Sequence, residues 1–232
     1  RAHLLSKMAL LLKSTKAWAH IPDYAKRHLE SAIVSSSALK RTVMREMQFI
    51  HNALQDTNLS YVFLKGAAYH IAGMRTGDGR IFNDVDIIVA KDNIDQIEQT
   101  LIQYGWKSSH HSAYDDRYYR RWMHEIPPLQ HVSRGSVIDL HHAILPMTAE
   151  LKPDSRLLMA SSQSVVSGEL TYSVLSPIDM ILHSATHLFH EGELDKGLRD
   201  LMDLDTLFNE FDQGQINWDD MVPRAEPLQL SL

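Results

Sequence analysis

Apolar residues recur at helical spacing through the first fifty positions. Leu4, Leu5, Met8, Leu11 and Leu12 mark a first helix within residues 1–20. Pro22 breaks it and Asp23 follows, after which a long helical pattern runs from about Ala25 to Leu54. Leu29, Ile33, Leu39, Val43, Met47, Ile50 and Leu54 form its inward stripe, and Lys26, Arg27, Lys40, Arg41 and Arg45 a solvated outer face. Asp56-Thr57-Asn58 ends this helix, and the period then shortens. Tyr61 to Leu64 reads as a core strand, Gly66 to Gly73 as one or two helical turns, and Val85 to Ala90 as a second strand. Asp92 reads as the N-cap of a helix running through Leu101 to Tyr104, with Gly105 as its stop.

Trp106 to His111 has a weak strand pattern. Tyr114 to Trp122 is both aromatic and basic and reads as a surface excursion with buried aromatics. His124–Val132 and Ser136–Leu140 form a hairpin turning at Arg134-Gly135, with Pro127-Pro128 forcing an edge or a bulge. Beyond Pro146 the pattern becomes mainly helical, from Pro153 to Ala160, from Ser176-Pro177 to about His190, and from Leu194 to Phe211. A small hairpin interrupts it, Ser164–Val166 with Tyr172–Leu175. The expected organisation is a helical region at 1–57, a mixed-sheet core at 58–145 and a mainly helical region at 146–232 packed on that core. The fold class is α+β.

Length and composition narrow the choice of function. The 232 residues suffice for one full core and an accessory region, and 44% hydrophobic with 22% charged residues is ordinary for a globular protein. No apolar run approaches the roughly 18 residues a membrane-spanning helix needs. There is no cysteine, which removes disulfides, thiolate metal sites and a thiol nucleophile, and fits a reducing cytoplasm. A formal net charge of −6 argues against nucleic-acid binding through overall charge, though a local basic patch remains open. The abrupt ends, Arg1 and Leu232, read as those of an excised or truncated piece.

The chemistry gathers around Arg80-Ile81-Phe82-Asn83-Asp84-Val85-Asp86-Ile87-Ile88-Val89-Ala90. Residues two apart on a strand share a face, so Asp84 and Asp86 project together at the mouth of a hydrophobic strand. Their repulsion and desolvation are relieved by a cation. A turn in which Asn83 and Asp84 bond their own backbone accounts for the same residues, and the motif alone does not choose.

Its neighbours add information. Leu64-Lys65-Gly66 ends the preceding strand, and Ile138-Asp139-Leu140-His141 lies on a later one. With Arg80 and Asp84-Val85-Asp86, these motifs resemble an uncharacterised bacterial nucleotidyltransferase family within the DNA polymerase β-like superfamily. The resemblance covers roughly positions 58 to 145 and implies a nucleotidyltransferase-like mixed sheet flanked by helices. It implies metal-dependent transfer of a nucleoside monophosphate from an NTP to the hydroxyl of an unknown acceptor, whether small molecule, protein or RNA. Asp84, Asp86 and Asp139 would be the catalytic carboxylates and hold Mg²⁺ or Mn²⁺, with Asp86 bridging. Lys65, Gly66, Ala67 and Arg80 would bind the nucleotide, with Arg75 a weaker candidate than Arg80. Gly66-Ala67 departs from the Gly-Ser or Gly-Gly frequent in the superfamily, which removes a hydroxyl contact to phosphate but no backbone contact.

Further residues have two readings each. Arg117, Arg120 and Arg121, with Tyr118, Tyr119 and Trp122, could grip an acceptor or belong to the surface excursion. His141, two residues after Asp139, sits beside the site or in the core. His183, His187 and His190 share a helix face and, with Asp179 or Glu191, could build a metal-dependent phosphohydrolase site. A degenerate, non-catalytic nucleotidyltransferase-fold binding module is the remaining alternative.

Overall fold

A computed structural model describes residues 3–108, 112–190, 197–212, 214 and 216–230. Helix α1 (Leu5–Lys13) leads into α2 (Asp23–Leu54), which starts directly after Pro22. Strand β1 (Tyr61–Phe63), the short helix α3 (Lys65–Ile71), strand β2 (Asp84–Val89) and helix α4 (Ile94–Gln103) follow. Next come β3 (Trp106–Ser108), α5 (Ala113–Trp122), β4 (Leu129–His131) and β5 (Val137–His141). The chain continues through α6 (Ser155–Ala160), β6 (Gln163–Ser167), β7 (Leu170–Val174), α7 (Pro177–His190), α8 (Gly197–Phe211) and α9 (Met221–Ala225).

All seven strands belong to one mixed sheet in the order β3-β4-β5-β2-β1-β7-β6. The three strands expected to carry the chemistry are its centre: β1 runs antiparallel to β2, and β2 parallel to β5. From Val85 to Val89 every residue of β2 is buried, so both faces of the sheet are covered there. Ile87 and Ile88 are fully buried and contribute about 1.5–3 kcal/mol each to holding the strand in place. The sheet does not stop at residue 145. Strand β7 pairs in parallel with β1 through Phe63 and Val174, so the later hairpin extends the same sheet.

The long helix packs as its period requires, burying Leu29, Val43, Met47, Ile50 and Leu54 against α1, α3 and α4, with Leu39 partly buried on the same cluster. The first helix is present as its spacing predicts, though with an unexpected inner face, and two further expectations need correcting. On α1 the polar Ser6 and Lys7 face inward, whereas Leu5, Met8 and Leu11 are about half exposed, because a buried carboxylate draws the lysine in. Asp92 does not cap α4; it lies in a 3₁₀ turn (Lys91–Asn93) that precedes the helix. The Tyr114–Trp122 stretch is helix α5, with none of its residues buried and Tyr114, Tyr118 and Trp122 exposed. The Ser112 hydroxyl caps it, and Asp115 and Asp116 at the start with Arg120 and Arg121 at the end suit the helix dipole. The weak strand is present over Trp106–Ser108; residues 109–111 and 194–196 lie outside the described residues.

Among the described residues no helix is long and apolar enough to cross a membrane.

Candidate active site

Register places the acids. In the parallel β2–β5 pair, Asp86 lies directly opposite Asp139, Asp84 opposite Val137, and Ile88 opposite His141. Period-2 alternation then puts Asp84, Asp86, Asp139 and His141 on one face of the sheet. All four line a cleft of about 310 Å³, together with Lys65, Arg80, His124 and Glu125. Helices α7 and α8 close it through His187, Arg199 and Asp200.

Of the three clustered acids, Asp86 is the one held by neighbouring side chains. Lys65 Nζ donates to its Oδ1 at 3.2 Å, and His141 Nε2 approaches the same oxygen at 3.1 Å. Burial opposes the Asp86 charge, but Lys65 and His141 together outweigh it and hold the carboxyl well below its ordinary range. Burial likewise works against a charged His141, and its contact with Asp86 reverses the balance and raises it. Lys65 takes its place through backbone geometry: the Leu64 N–H bonds the Asp86 carbonyl, and Lys65 then adopts a left-handed φ of 45° to begin α3. Strain of that kind in a non-glycine residue costs about 1–3 kcal/mol and concentrates at functional sites.

Asp139 is in the opposite condition. Burial, reinforced by Asp86, Glu125 and Asp84, pushes it up to about 7, and its buried Oδ1 has no hydrogen-bond partner. The trio is therefore short of positive charge on the Asp139 side. Three carboxylates line one partly solvated cleft, one of them with a partnerless oxygen, and such hard oxygen donors are the kind a divalent cation takes.

Arg80 is anchored from behind. Its Nε donates to Asp203 Oδ2 at 2.6 Å, Lys7 Nζ donates to Asp203 Oδ1 at 2.7 Å, and Arg80 Nη2 lies 3.9 Å from Asp200. The guanidinium also sits over the Tyr69 and Phe82 rings. Gly66 has a packing reason to be glycine, since a Cβ there would collide with Arg80 Nη1 and lie 2.9 Å from the Phe82 ring. Gly66 and Ala67 are buried in α3 and do not line the cleft, whereas Lys65 and Arg80 do.

The basic helix stands beside the cleft rather than in its wall. No residue of α5 lines it; Tyr119, raised first by burial and then by Glu125 and Asp139, is its nearest approach to the acids. Arg120 is committed to Glu98, at 2.7 Å, and to Asp116 and Asp95. Arg117 donates to the Ala113 carbonyl, and Arg121 stacks on Trp122.

The α7 histidines do not assemble as a phosphohydrolase would require. Burial first, then Lys65, lowers His183 to about 3 and His187 to about 2, and among the described residues neither belongs to a group whose ligand atoms lie close enough to share a metal. Asp179 is fully buried in a bidentate pair with Arg224, and Glu191 lies outside the described residues. Sequence reasoning missed Lys7, His124, Glu125, Arg199, Asp200 and Asp203. A signal for two of these was available, because Asp200 and Asp203 precede Leu204, Leu207 and Phe211 on the inward stripe of α8, where an acid needs a buried partner.

A family model for uncharacterised nucleotidyltransferases matches residues 1–232. The chain belongs to that family. No curated protein matches it in sequence. Among solved structures it is similar to the solution structure of the antibiotic-resistance factor ANT(2'')-Ia, at 13% identity and a TM-score of 0.51, covering 76% of this chain and 88% of that one. ANT(2'')-Ia in complex with adenylyl-2''-tobramycin aligns at 11% identity and a TM-score of 0.52, covering 82% and 97%. The lincosamide antibiotic adenylyltransferase LnuA, bound to lincomycin, aligns at 16% identity and a TM-score of 0.45, covering 70% and 94%. The family membership and the shared mixed-sheet fold make the protein a nucleotidyltransferase, and its cleft is the place to look for the reaction.

Proposed function

We propose that the protein transfers a nucleoside monophosphate from an NTP to an acceptor hydroxyl in a divalent-metal-dependent reaction at the Asp84–Asp86–Asp139 cluster. The observation that carries this reading is the charge imbalance at Asp139, whose buried oxygen lacks a partner while three other acids surround it. Asp84, Asp86 and Asp139 would hold Mg²⁺ or Mn²⁺, which when bound supplies charge neutralisation of the triphosphate and activation of the nucleophile. Magnesium suits few protein carboxylates because phosphate oxygens and water complete its shell.

The protein's own part is positioning. Lys65 and Arg80, both in the cleft wall, orient the triphosphate as cations, and Asp203 keeps the guanidinium from swinging away. Arg199 adds a third positive group on the same wall. The acceptor oxygen attacks the α-phosphorus, the bond to the oxygen bridging to the β-phosphorus breaks, and pyrophosphate leaves. The acceptor proton passes to a carboxylate, and Asp139, which would keep a second oxygen beside the one given to a metal, is our candidate for that role. Arg117 and Arg121, on α5 outside the cleft wall, are retained as candidate contacts for an extended acceptor. Arg120 is not, because its guanidinium is held by α4.

A second reading has an observation of its own. Lys65 and His141 already neutralise Asp86, as they would in a non-catalytic binding module. Thermal shift with Mg²⁺ or Mn²⁺ and each NTP separates the two readings, because binding to the folded state raises the melting temperature by mass action. Catalysis at this site requires Asp84→Asn and Asp86→Asn to fold, and to lose both the metal–NTP stabilisation and pyrophosphate release. Parent-like metal–NTP binding in both variants would leave the module as the better account.

A further inference from the structure

We propose that His124, Glu125 and His141 form a second cation site, selective for a borderline-soft ion such as Zn²⁺ and distinct from the carboxylate trio. One ligand atom from each of the three residues lies within 4.8 Å of the others. His141 Nδ1 and Glu125 Oε2 are 3.4 Å apart, close to the separation of about 3.3–3.7 Å that tetrahedral coordination at roughly 2.0–2.3 Å imposes on two ligands. His124 lies nearly parallel to His141, with ring centroids 5.2 Å apart, and closes the remaining distance by a side-chain adjustment.

Chemistry sets the ion. Two imidazoles and one carboxylate are the ligand types of zinc and its neighbours, whereas magnesium prefers oxygen alone. The outer shell is already built. His141 faces an acceptor-only carboxylate, Asp86, through Nε2, so that nitrogen keeps its hydrogen, and a metal on the Glu125 side would take Nδ1 by displacing any proton there. A carboxylate fixing the tautomer of a ligating histidine is the arrangement that supports imidazole at metal centres. His124 and His141 are more than nine-tenths buried, and the Nδ1 of His124 has no hydrogen-bond partner. All three residues line the cleft, which gives an ion a route in and leaves a coordination position toward the open space.

The site is separate from the proposed nucleotide chemistry in its ligands but joined to it through the His141–Asp86 contact. The test therefore reads metal content rather than turnover. The full chain, freed of metal, is dialysed against micromolar zinc chloride with excess magnesium chloride, and bound zinc is measured by elemental analysis. His124→Gln and Glu125→Gln are each expected to weaken the tight zinc site by about tenfold or more, and Asp86→Asn, which acts through His141, by about 10–100-fold. Asp84→Asn is expected to retain the site, and zinc-edge absorption of the parent should show two imidazole ligands. Circular dichroism checks folding, and Glu125→Gln, at a partly exposed position, decides if His124→Gln fails to fold. Absence of tight zinc in the parent overturns the proposal, as does parent-like binding by both ligand variants. Loss in Asp84→Asn equal to that in His124→Gln would place the ion in the carboxylate trio and overturn it too. None of these readouts involves an NTP, so failure here and failure of nucleotidyl transfer are told apart.

Discussion

In Asp203→Asn the side chain keeps its shape and loses the charge that two buried cations share. Asp203 is 2% exposed, Lys7 and Arg80 are 7% and 6%, and their contacts to it measure 2.7 and 2.6 Å. Asp200 is the remaining acid near Arg80, at 3.9 Å, and it is already held by Arg199 at 2.7 Å. Removing one partner of a buried ion pair typically costs about 3–5 kcal/mol, because the surviving charge stays desolvated. For a chain of this size that corresponds to a fall in melting temperature of roughly 6–20 °C, at about 2–4 °C per kcal/mol. Equilibrium unfolding in urea, with the slope unchanged from the parent, measures it. Lys7→Met provides the companion measurement, since it leaves Asp203 and Arg80 to each other and should be much milder. In the double variant the Asn change should then cost less, as one of the two stranded cations has gone. A loss below about 1 kcal/mol in Asp203→Asn would refute the account of one acid holding two buried cations, because surface pairs lie in that range.

Gly66→Ala forces a methyl group into the Arg80 guanidinium and the Phe82 ring, and overpacking of this kind costs about 1–3 kcal/mol; an unchanged melting temperature would mean that Arg80 is not held as described. His70 is 4% exposed, its ring nitrogens are both unpartnered, and burial, with Lys40 and Arg80 opposed by Asp203, lowers it to about 4. The unfolded chain therefore takes up a proton near pH 6.5 that the folded chain refuses until about 4, so the stability His70 permits is complete above 6.5 and lost as pH falls toward 4. His70→Leu should remove up to about 3 kcal/mol of that acid sensitivity, seen as a flatter melting-temperature profile than the parent's between pH 7 and 4. Arg120→Ala should lower stability by about 1–2 kcal/mol through the loss of Glu98's bidentate partner, with metal–NTP stabilisation unchanged in the same thermal-shift assay.

The centre of this architecture is legible from local patterns. The two-residue spacing of Asp84 and Asp86 suffices to expect two acids on one strand face, and the resemblance carried by Leu64-Lys65-Gly66 and Ile138-Asp139-Leu140-His141 adds the expectation of neighbouring strands. What local patterns do not carry is pairing across long separations. Nothing near Lys7 announces that a lysine on an apolar helix will turn inward, because its reason is Asp203, far along the chain. The α5 aromatics mislead for a related cause: hydrophobicity argues for burial, but the capping serine and end charges are enough to hold a helix whose rings stay in solvent. Gly66 is legible as a residue that must be small, while the atom it makes room for belongs to Arg80, fourteen positions later and dependent on α8 for its place.

The partnership of Arg80 with Asp203 also has a consequence in time. The two residues are 123 positions apart, so at ribosomal rates of about 5–20 residues per second the guanidinium waits on the order of 6–25 s for its counter-charge. Until α8 has been made, Arg80 lacks the carboxylate that pairs with it in the folded chain, although β7, which precedes α8, is already available to pair with β1. The back wall of the cleft can be completed only after α8 is made, because one acid on that helix pairs with both a lysine and an arginine.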